Sequence, residues 1–259
     1  MRLSPSEDQP SDLNRKLQAY LRQAALRRPN SERAGPFLAT FNAEDDNAYL
    51  NYAIPDDGAE PHEGEIDALI ALFLARKRTP RLEYMPAAAP KLETALLAKG
   101  FTVEARVSVM LCLPGMQIFD LVSDGFDVFV TESERDLEAA ARAQAEAFGG
   151  TYRGPRGLKR TVRYGGIVVA ARDMASGTIE GVGTAMPAIG GVSEITGIGV
   201  RAGSRRHGVA GAITALLTRQ AFARGVTLAW LTPGSRDAER IYARAGWVVA
   251  SEALHISRP

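Results

Sequence analysis

A short basic and glycine-rich segment carries the clearest chemical pattern in the sequence. Residues 201–211 read Arg-Ala-Gly-Ser-Arg-Arg-His-Gly-Val-Ala-Gly and connect a strand-like run that ends at Val200 to a helical run that begins at Val209. The first N–H groups of a helix lack partners within it and lie at the positive end of its dipole. Gly208 removes side-chain bulk where a ligand must approach the backbone, and Arg205 adds positive charge. The segment therefore predicts a site for a pyrophosphate.

Two other phosphate-binding motifs fit this segment less well. A Walker loop ends in Gly-Lys-Ser or Gly-Lys-Thr, and the segment contains neither. Residues 197–202 have the spacing of a dinucleotide fingerprint, but the helix of that motif begins within the pattern, whereas here Gly203, Ser204 and two arginines intervene. The other alternative is a glycine-rich connection with solvated arginines, which is common in α/β proteins.

A second pattern follows at residues 235–247, which read Ser-x-x-Ala-x-x-x-Tyr-x-x-x-Gly-Trp after a strand-like run at 226–231. It resembles the Asn-x-x-Ala-x-x-x-Tyr-x-x-x-Gly-Phe pattern of the GNAT (Gcn5-related N-acetyltransferase) superfamily. The pattern Arg-x-x-Gly-x-Ala at 205–210 is similar to that family's acyl-CoA loop, Gln/Arg-x-x-Gly-x-Gly/Ala. Ser235 departs from the family's Asn, which puts one side-chain contact to the cofactor in doubt. The resemblance covers the chain from about residue 127 onward.

The resemblance implies an N-acetyltransferase. It implies that an acetyl group passes from acetyl-CoA, the co-substrate, directly to a primary amine while both are bound, without a metal. Neither the acceptor, a small-molecule or peptide amine, nor the acyl chain length can be read from the sequence, because a fold does not fix a substrate. The alternative is a non-catalytic GNAT-like module that binds and senses acyl-CoA.

Individual residues acquire roles from the resemblance. Tyr242 would be the general acid that gives a proton to the departing CoA thiolate, and Glu194 is a candidate general base for the acceptor ammonium. The alternative for Tyr242 is a residue of the core. The alternative for Glu194 is a carboxylate that faces solvent, in which case a chain of waters would act as the base. A backbone N–H near Val200 would polarise the thioester carbonyl. The positions implied to bind acetyl-CoA are Ile198, Gly199, Val200, Arg205, Arg206, His207, Gly208, Val209, Ala210, Gly211 and Ser235.

The end of the first half of the chain resembles the end of the second half. Residues 81–104 and 227–250 each read strand, proline, helix, Gly-aromatic pair and strand, with a one-residue difference in spacing. We therefore predict an internal duplication. The first half lacks the Arg-x-x-Gly-x-Gly/Ala pattern, is acidic at 56–65, and has Leu96 where the second half has Tyr242. These differences predict a first half with a structural role.

The predicted fold class is α/β (α+β), with two GNAT-like domains in tandem, each a mixed, mostly antiparallel central sheet flanked by helices. Residues 1–125 would form a degenerate domain without an acyl-CoA loop, and residues 126–259 the catalytic domain, with a linker at 114–125 and a glycine-rich loop at 149–157. The predicted helices span 12–28, 65–77, 90–99, 132–148, 209–224 and 236–245. The predicted strands span 37–41, 49–54, 81–85, 102–113, 127–131, 166–172, 178–187, 192–200, 226–231 and 247–256.

Composition limits the classes of partner. The 259 residues include 31 basic and 30 acidic ones, and this balance argues against a nucleic-acid partner. No apolar run approaches the length of a membrane span, so no membrane partner is expected. Cys112 is the only cysteine, which together with the absence of a signal-like N-terminus predicts a cytoplasmic protein. The three histidines lack ligand spacing, so no metal site is expected, and a homodimer is left open.

Overall fold

The computed structural model describes residues 9–43, 47–119 and 124–259, with side chains from residue 12 onward. Within these residues the chain forms seven α-helices and eleven strands. The helices are α1 (Gln9–Leu26), α2 (Glu63–Leu74), α3 (Leu92–Ala98), α4 (Glu134–Ala147), α5 (Arg156–Arg163), α6 (Val209–Ala223) and α7 (Arg236–Arg244). The strands are β1 (Ser31–Ala34), β2 (Phe37–Thr40), β3 (Tyr52–Pro55), β4 (Arg81–Tyr84), β5 (Thr102–Cys112), β6 (Phe126–Val130), β7 (Ile167–Asp173), β8 (Ile179–Ala185), β9 (Val192–Val200), β10 (Leu228–Leu231) and β11 (Val248–Ser257).

The described chain divides into two compact units. Unit 1 contains the residues up to Val109 together with Ala250–Pro259, and unit 2 is Met110–Val249. This division differs from the expected boundary at residue 125. Positions 120–123 of the expected linker lie outside the described residues.

The division follows from how the last strand of each half pairs. β11 ends the second half of the sequence, yet it pairs antiparallel with β4 of unit 1, with Leu254 opposite Tyr84. The last residues of β5 instead pair with β10 in unit 2, with Cys112 opposite Ala229. The sequence of a segment predicts that it forms a strand but not which strand it pairs with. The pairing depends on contacts with residues that are distant in sequence.

Unit 1 is a mixed sheet in which β1–β2, β2–β3 and β4–β11 pair antiparallel and β3–β4 pair parallel. Helices α2 and α3 cover it through fully buried Leu69 and Leu96. Leu96, which stands where the second half has Tyr242, lies in the core.

Helix α1 places a polar side chain between two strand ends of unit 1. Gln18 is completely buried. Its Nε2 donates to the carbonyl oxygen of Pro55, at the end of β3, over 3.2 Å, and its Oε1 accepts from the N–H of Met85, just after β4, over 3.0 Å. Gln18 therefore bridges the two parallel strands at the point where each ends.

Unit 2 has the strand order β5-β10-β9-β8-β7-β6, in which only β9 and β10 run parallel. Adjacent residues of β7 face opposite sides, since side chains alternate along a strand. Val168 packs in a core with Leu137 of α4, and Val169 packs in another with Ile213 of α6. Gly183 of β8 allows α6 to lie close to the sheet, because a Cβ at this position would lie 2.7 Å from a methyl group of Ile213.

The structure confirms the predicted fold class, and each predicted helix and strand has a counterpart, in most cases with shifted ends. Two elements were missed. Helix α5 reads Arg-Gly-Leu-Lys-Arg-Thr-Val-Arg and buries only Leu158 and Thr161, so it has too few apolar residues for a helical period. Strand β1 reads Ser-Glu-Arg-Ala and exists because it pairs with the apolar strand β2.

Candidate functional site

The site begins where two parallel strands of unit 2 separate. β9 and β10 pair from Val192 opposite Leu228 to Glu194 opposite Trp230. β9 then continues to Val200, whereas β10 ends at Leu231. A groove of about 1400 Å³ lies along the part of β9 that has left its neighbour.

A bulge in β9 sets the direction of its backbone groups. On the other edge of β9, Thr196 is opposite Thr184 but Gly199 is opposite Val182, so β9 carries one extra residue here. Gly197 takes the left-handed conformation, with φ +63°. The extra residue therefore reverses the alternation of N–H groups along the rest of the strand.

Two hydrogen bonds show this reversal. Before the bulge, the carbonyl of Glu194 accepts from Met186 just after β8, over 2.8 Å. After the bulge, the N–H of Arg201 donates to the carbonyl of Glu180 on β8 over 2.9 Å. Since N–H groups of successive residues point to opposite edges, the N–H of Val200 points away from β8, to the groove side.

The loop before α6 has the backbone conformation of an anion cradle. Arg206 and Gly208 both have positive φ, +69° and +80°, and Gly208 is the N-cap of α6. A left-handed arginine costs on the order of 1–3 kcal/mol, and such strain is typical of functional loops. Alternating backbone conformations of this kind turn successive N–H groups toward one point, beside the positive end of the helix.

The side chain of Arg205 braces this loop. Its Nε donates to the carbonyl of Val200, and its Nη2 donates to the carbonyl of Ala147 at the end of α4. Both donor–acceptor distances are 3.0 Å. At the start of the loop, Ser204 donates to the Glu180 carboxylate over 2.9 Å. Arg205 thus braces the loop through carbonyl groups of β9 and of the end of α4.

Helix α7 brings Tyr242 and Ser235 to the groove. Ser235 is the N-cap of α7, and its Oγ accepts from the N–H of Ala238 over 3.1 Å. Tyr242 is only 8% exposed, and burial raises the pKa of its hydroxyl to about 12. The phenol is therefore neutral over the physiological range.

Most of the predicted binding residues, together with the predicted general acid, line this one groove. They are Ile198, Gly199, Val200, Arg205, Arg206, Gly208, Val209, Ala210, Gly211, Ser235 and Tyr242. His207 is not among the lining residues, and its ring lies 6.1 Å from that of Phe126. Glu194 is half-buried and also outside the lining. A strand rise of about 3.3 Å per residue puts it about 13 Å from Ile198.

The groove also contains residues that the sequence patterns did not single out. Three are charged and come from α7: Asp237, Arg240 and Arg244. The spacing of the two arginines, four residues apart, places them on one helix face and could have revealed them. Phe148, which is 63% exposed at the end of α4, has no such signal, because only the fold brings it beside Gly199.

The part of the chain that the structure describes offers neither a metal cluster nor a membrane-spanning helix. Among the described residues, no three His, Cys, Asp or Glu side chains are grouped as a metal ion would require. No helix within those ranges has both the length and the apolar character needed to cross a membrane.

Comparison with known families identifies part of the chain. A family model described as "Acetyltransferase (GNAT) domain" matches residues 129–250. The chain therefore contains a domain of the GNAT acetyltransferase family. A search of curated proteins found no significant match.

Solved structures with this fold extend over nearly the whole chain. A GCN5-related N-acetyltransferase from Kribbella flavida is 27% identical, with a TM-score of 0.79 over 95% of this chain and 96% of its own. One from Sphaerobacter thermophilus is 18% identical, with a TM-score of 0.65 over 86% and 78%. A tandem GNAT protein from the clavulanic acid biosynthesis pathway is 13% identical, with a TM-score of 0.58 over 98% and 96%. The last two similarities concern the fold alone.

Proposed function

We propose that unit 2 is an N-acetyltransferase that uses acetyl-CoA and a primary amine bound together. The observation that carries the proposal is the convergence of three features on one groove: a separated strand edge, an anion cradle and a buried neutral tyrosine. The membership of residues 129–250 in the GNAT acetyltransferase family supports it.

The groove fits an extended ligand with a pyrophosphate. The cradle of Arg206 and Gly208, together with the first N–H groups of α6, would hold the pyrophosphate. The edge of β9 at 198–200, which has left β10, would pair with the amides of the pantetheine arm, as an added strand does. Arg240 and Arg244 line the same groove and add positive charge for the remaining phosphate.

The backbone of β9 would stabilise charge on the reacting carbonyl. Acetyl-CoA supplies the acetyl group as a thioester, whose C–S bond breaks as the C–N bond to the amine forms. The N–H of Val200 points to the groove side and would donate to the carbonyl oxygen as negative charge develops there. Loss of a comparable donor in other enzymes lowers kcat on the order of 10²- to 10³-fold.

The raised pKa of Tyr242 refines its role. A phenol with a pKa of about 12 is a weaker acid than a thiol, with a pKa of about 8.5. Its hydroxyl therefore stabilises the departing sulfur by donating a hydrogen bond. The amine nitrogen loses one proton as the C–N bond forms, and the sulfur of CoA gains one proton after the C–S bond breaks. The overall transfer therefore balances.

Glu194 remains the candidate base. It lies at the last paired position of β9, where the two strands part. Since it does not line the groove, we propose that it accepts the amine proton through water.

The structure also supports direct transfer without an acetylated enzyme. Cys112 is the only cysteine, and it is completely buried. Burial raises the pKa of its thiol to about 11, so the reactive thiolate is scarce at neutral pH. A covalent acetyl-cysteine step therefore has no suitable nucleophile.

Thiol release tests this proposal. The full-length protein is incubated with acetyl-CoA and a panel of amines that includes polyamines, amino acids, aminoglycosides and peptides, and free CoA is followed with time. We expect amine-dependent release of CoA with at least one class. Tight binding of acetyl-CoA without release across the panel would favour a sensor of acyl-CoA, and absence of binding would exclude both functions.

A further inference from the structure

Gln144 on α4 is bound to the bulge of β9. Its Nε2 donates to the carbonyl oxygen of Gly197 over 2.8 Å. A Cβ at Gly197 would lie 2.5 Å from this same Nε2 and would displace the amide, and the φ of +63° also favours glycine at this position. Gln144 has no place in the motifs of the acyl-CoA loop or of α7.

Side chains hold both of the carbonyl groups at the bulge. Thr184 Oγ1 donates to the carbonyl oxygen of Thr196 over 2.9 Å, next to the bond from Gln144 to Gly197. A bulge takes backbone groups out of the regular ladder, and buried carbonyls need other donors. Two neighbouring carbonyls at the bulge thus each accept from a side-chain donor of another element.

The bulge decides where the N–H of Val200 points. The backbone N–H and C=O groups of Glu194 point toward β8. In a strand without a bulge, the backbone groups of the residues two, four and six positions later would point toward β8 as well. Val200 is six positions later, so without the extra residue its N–H would point at β8. With the bulge, Arg201 takes that place and Val200 faces the groove.

We propose that Gln144 is a positioning residue that aims the N–H of Val200 at the thioester carbonyl by holding the bulge at Gly197. The inference rests on the proposed function, because it assigns a cause to the donor which that function requires. Gln144 acts through the backbone and touches no substrate itself.

The test compares Gln144→Met with wild type in the full-length protein. Methionine keeps the length and packing of the side chain and removes the donor. [1-¹³C]acetyl-CoA is bound to each protein, and the carbonyl resonance is recorded, since polarisation shifts it downfield. We expect a downfield shift on binding to wild type and loss of at least half of it in Gln144→Met. With an amine substrate, kcat falls about tenfold while KM for acetyl-CoA stays within about twofold.

Two further variants separate positioning from general stability. Leu137→Ala removes a buried side chain from the same helix, at 3% exposure, and should lower the melting temperature without changing the carbonyl shift or kcat. Gln144→Lys restores a donor of similar reach and should recover part of the shift.

The outcomes distinguish the two proposals. Absence of acetyl-CoA binding to wild type would refute the proposed function and this inference with it. If wild type releases CoA with an amine but shows no carbonyl shift, or if the shift is equal in wild type and Gln144→Met, the role of Gln144 is overturned while acetyl transfer to an amine still stands. Equal losses in Leu137→Ala and Gln144→Met would show that Gln144 only stabilises the fold.

Discussion

Tyr242 shows how burial changes what one residue can do. Its position in a helix is encoded by the pattern around it, but the pKa of about 12 arises because the folded groove excludes water from the hydroxyl. Desolvation disfavours the phenolate, so the side chain can donate a hydrogen bond to a sulfur anion without becoming charged. It is poorly suited to act as a base.

Replacing Tyr242 by Phe keeps the ring and removes the hydroxyl. We expect kcat for amine acetylation to fall about 10²-fold, the lower end of the range for general acid catalysis, because the leaving sulfur loses its donor. KM for acetyl-CoA should change less than about threefold. The measurement is steady-state release of CoA, and Tyr164→Phe, an exposed tyrosine of unit 2, serves as the control that should leave the rate unchanged.

The pH profile of the same pair gives a second measurement. The hydroxyl is neutral below its pKa and anionic above it, and only the neutral form donates. An ordinary tyrosine would lose half of its neutral form near pH 10, whereas a pKa of about 12 keeps Tyr242 neutral at that pH. The ratio of wild-type to Tyr242→Phe rates should therefore stay constant from pH 7 to pH 10. A ratio that halves near pH 10 would contradict the role.

Among the elements, α6 and its preceding loop carry the features that we propose bind the pyrophosphate. Gly208, at φ +80°, turns the chain into the helix, and Arg205 fixes the loop to β9 and α4 through carbonyl groups. The sequence pattern located this element, since the strand, the loop and the helix are local features. It did not reveal the bracing role of Arg205, because both carbonyl partners belong to other elements.

Gly208→Ala tests the cradle at the scale of this element. Alanine at this φ costs about 1–2 kcal/mol, and relief of the strain would tilt the first N–H groups of α6. We expect the Kd for acetyl-CoA, measured by calorimetry, to rise about tenfold. The matched control is Gly177→Ala, at φ +72° in a turn with open space around it. It should lose similar stability and keep its affinity, and equal losses of affinity in both variants would contradict the assignment.

At the scale of the whole molecule, the two units differ in the space between their parallel strands. In unit 2, β9 and β10 separate around a groove, whereas in unit 1 Gln18 of α1 bridges the ends of β3 and β4. The loop after β3 is acidic, and Arg22 of α1 binds its Asp57 over 2.7 Å. The features that would hold a second acyl-CoA are thus replaced by contacts within unit 1.

This difference predicts one acetyl-CoA per chain. Titration calorimetry of the full-length protein should give a stoichiometry near one, with a single set of sites. Tyr242→Phe should keep this stoichiometry, since the hydroxyl acts on the reaction more than on binding. If wild type instead binds a second equivalent of acetyl-CoA, and Gly208→Ala leaves the affinity for that equivalent unchanged, unit 1 also binds acyl-CoA.

The pairing of the last strands predicts which unit a destabilising substitution in β11 affects. Leu254 of β11 is completely buried in the core of unit 1, so Leu254→Ala should cost about 2–5 kcal/mol there. Hydrogen exchange should rise in β3 and β4 and stay unchanged in β8 and β9. Leu217→Ala, in the core of unit 2, should give the opposite pattern. Faster exchange in β8 after Leu254→Ala would instead place β11 with the second half.

The sequence by itself determined most of the local features: the helices and strands other than α5 and β1, the loop at 205–211, and the tyrosine of α7. These follow from hydrophobic period, glycine placement and motif spacing, all of which are read along the chain. Only the tertiary structure decided that the last strands of the halves pair as they do, that Gln144 holds the β9 bulge, and that Tyr242 is desolvated. The physical reason is that strand partners, bulge direction and burial depend on contacts between residues distant in sequence, which no local pattern contains.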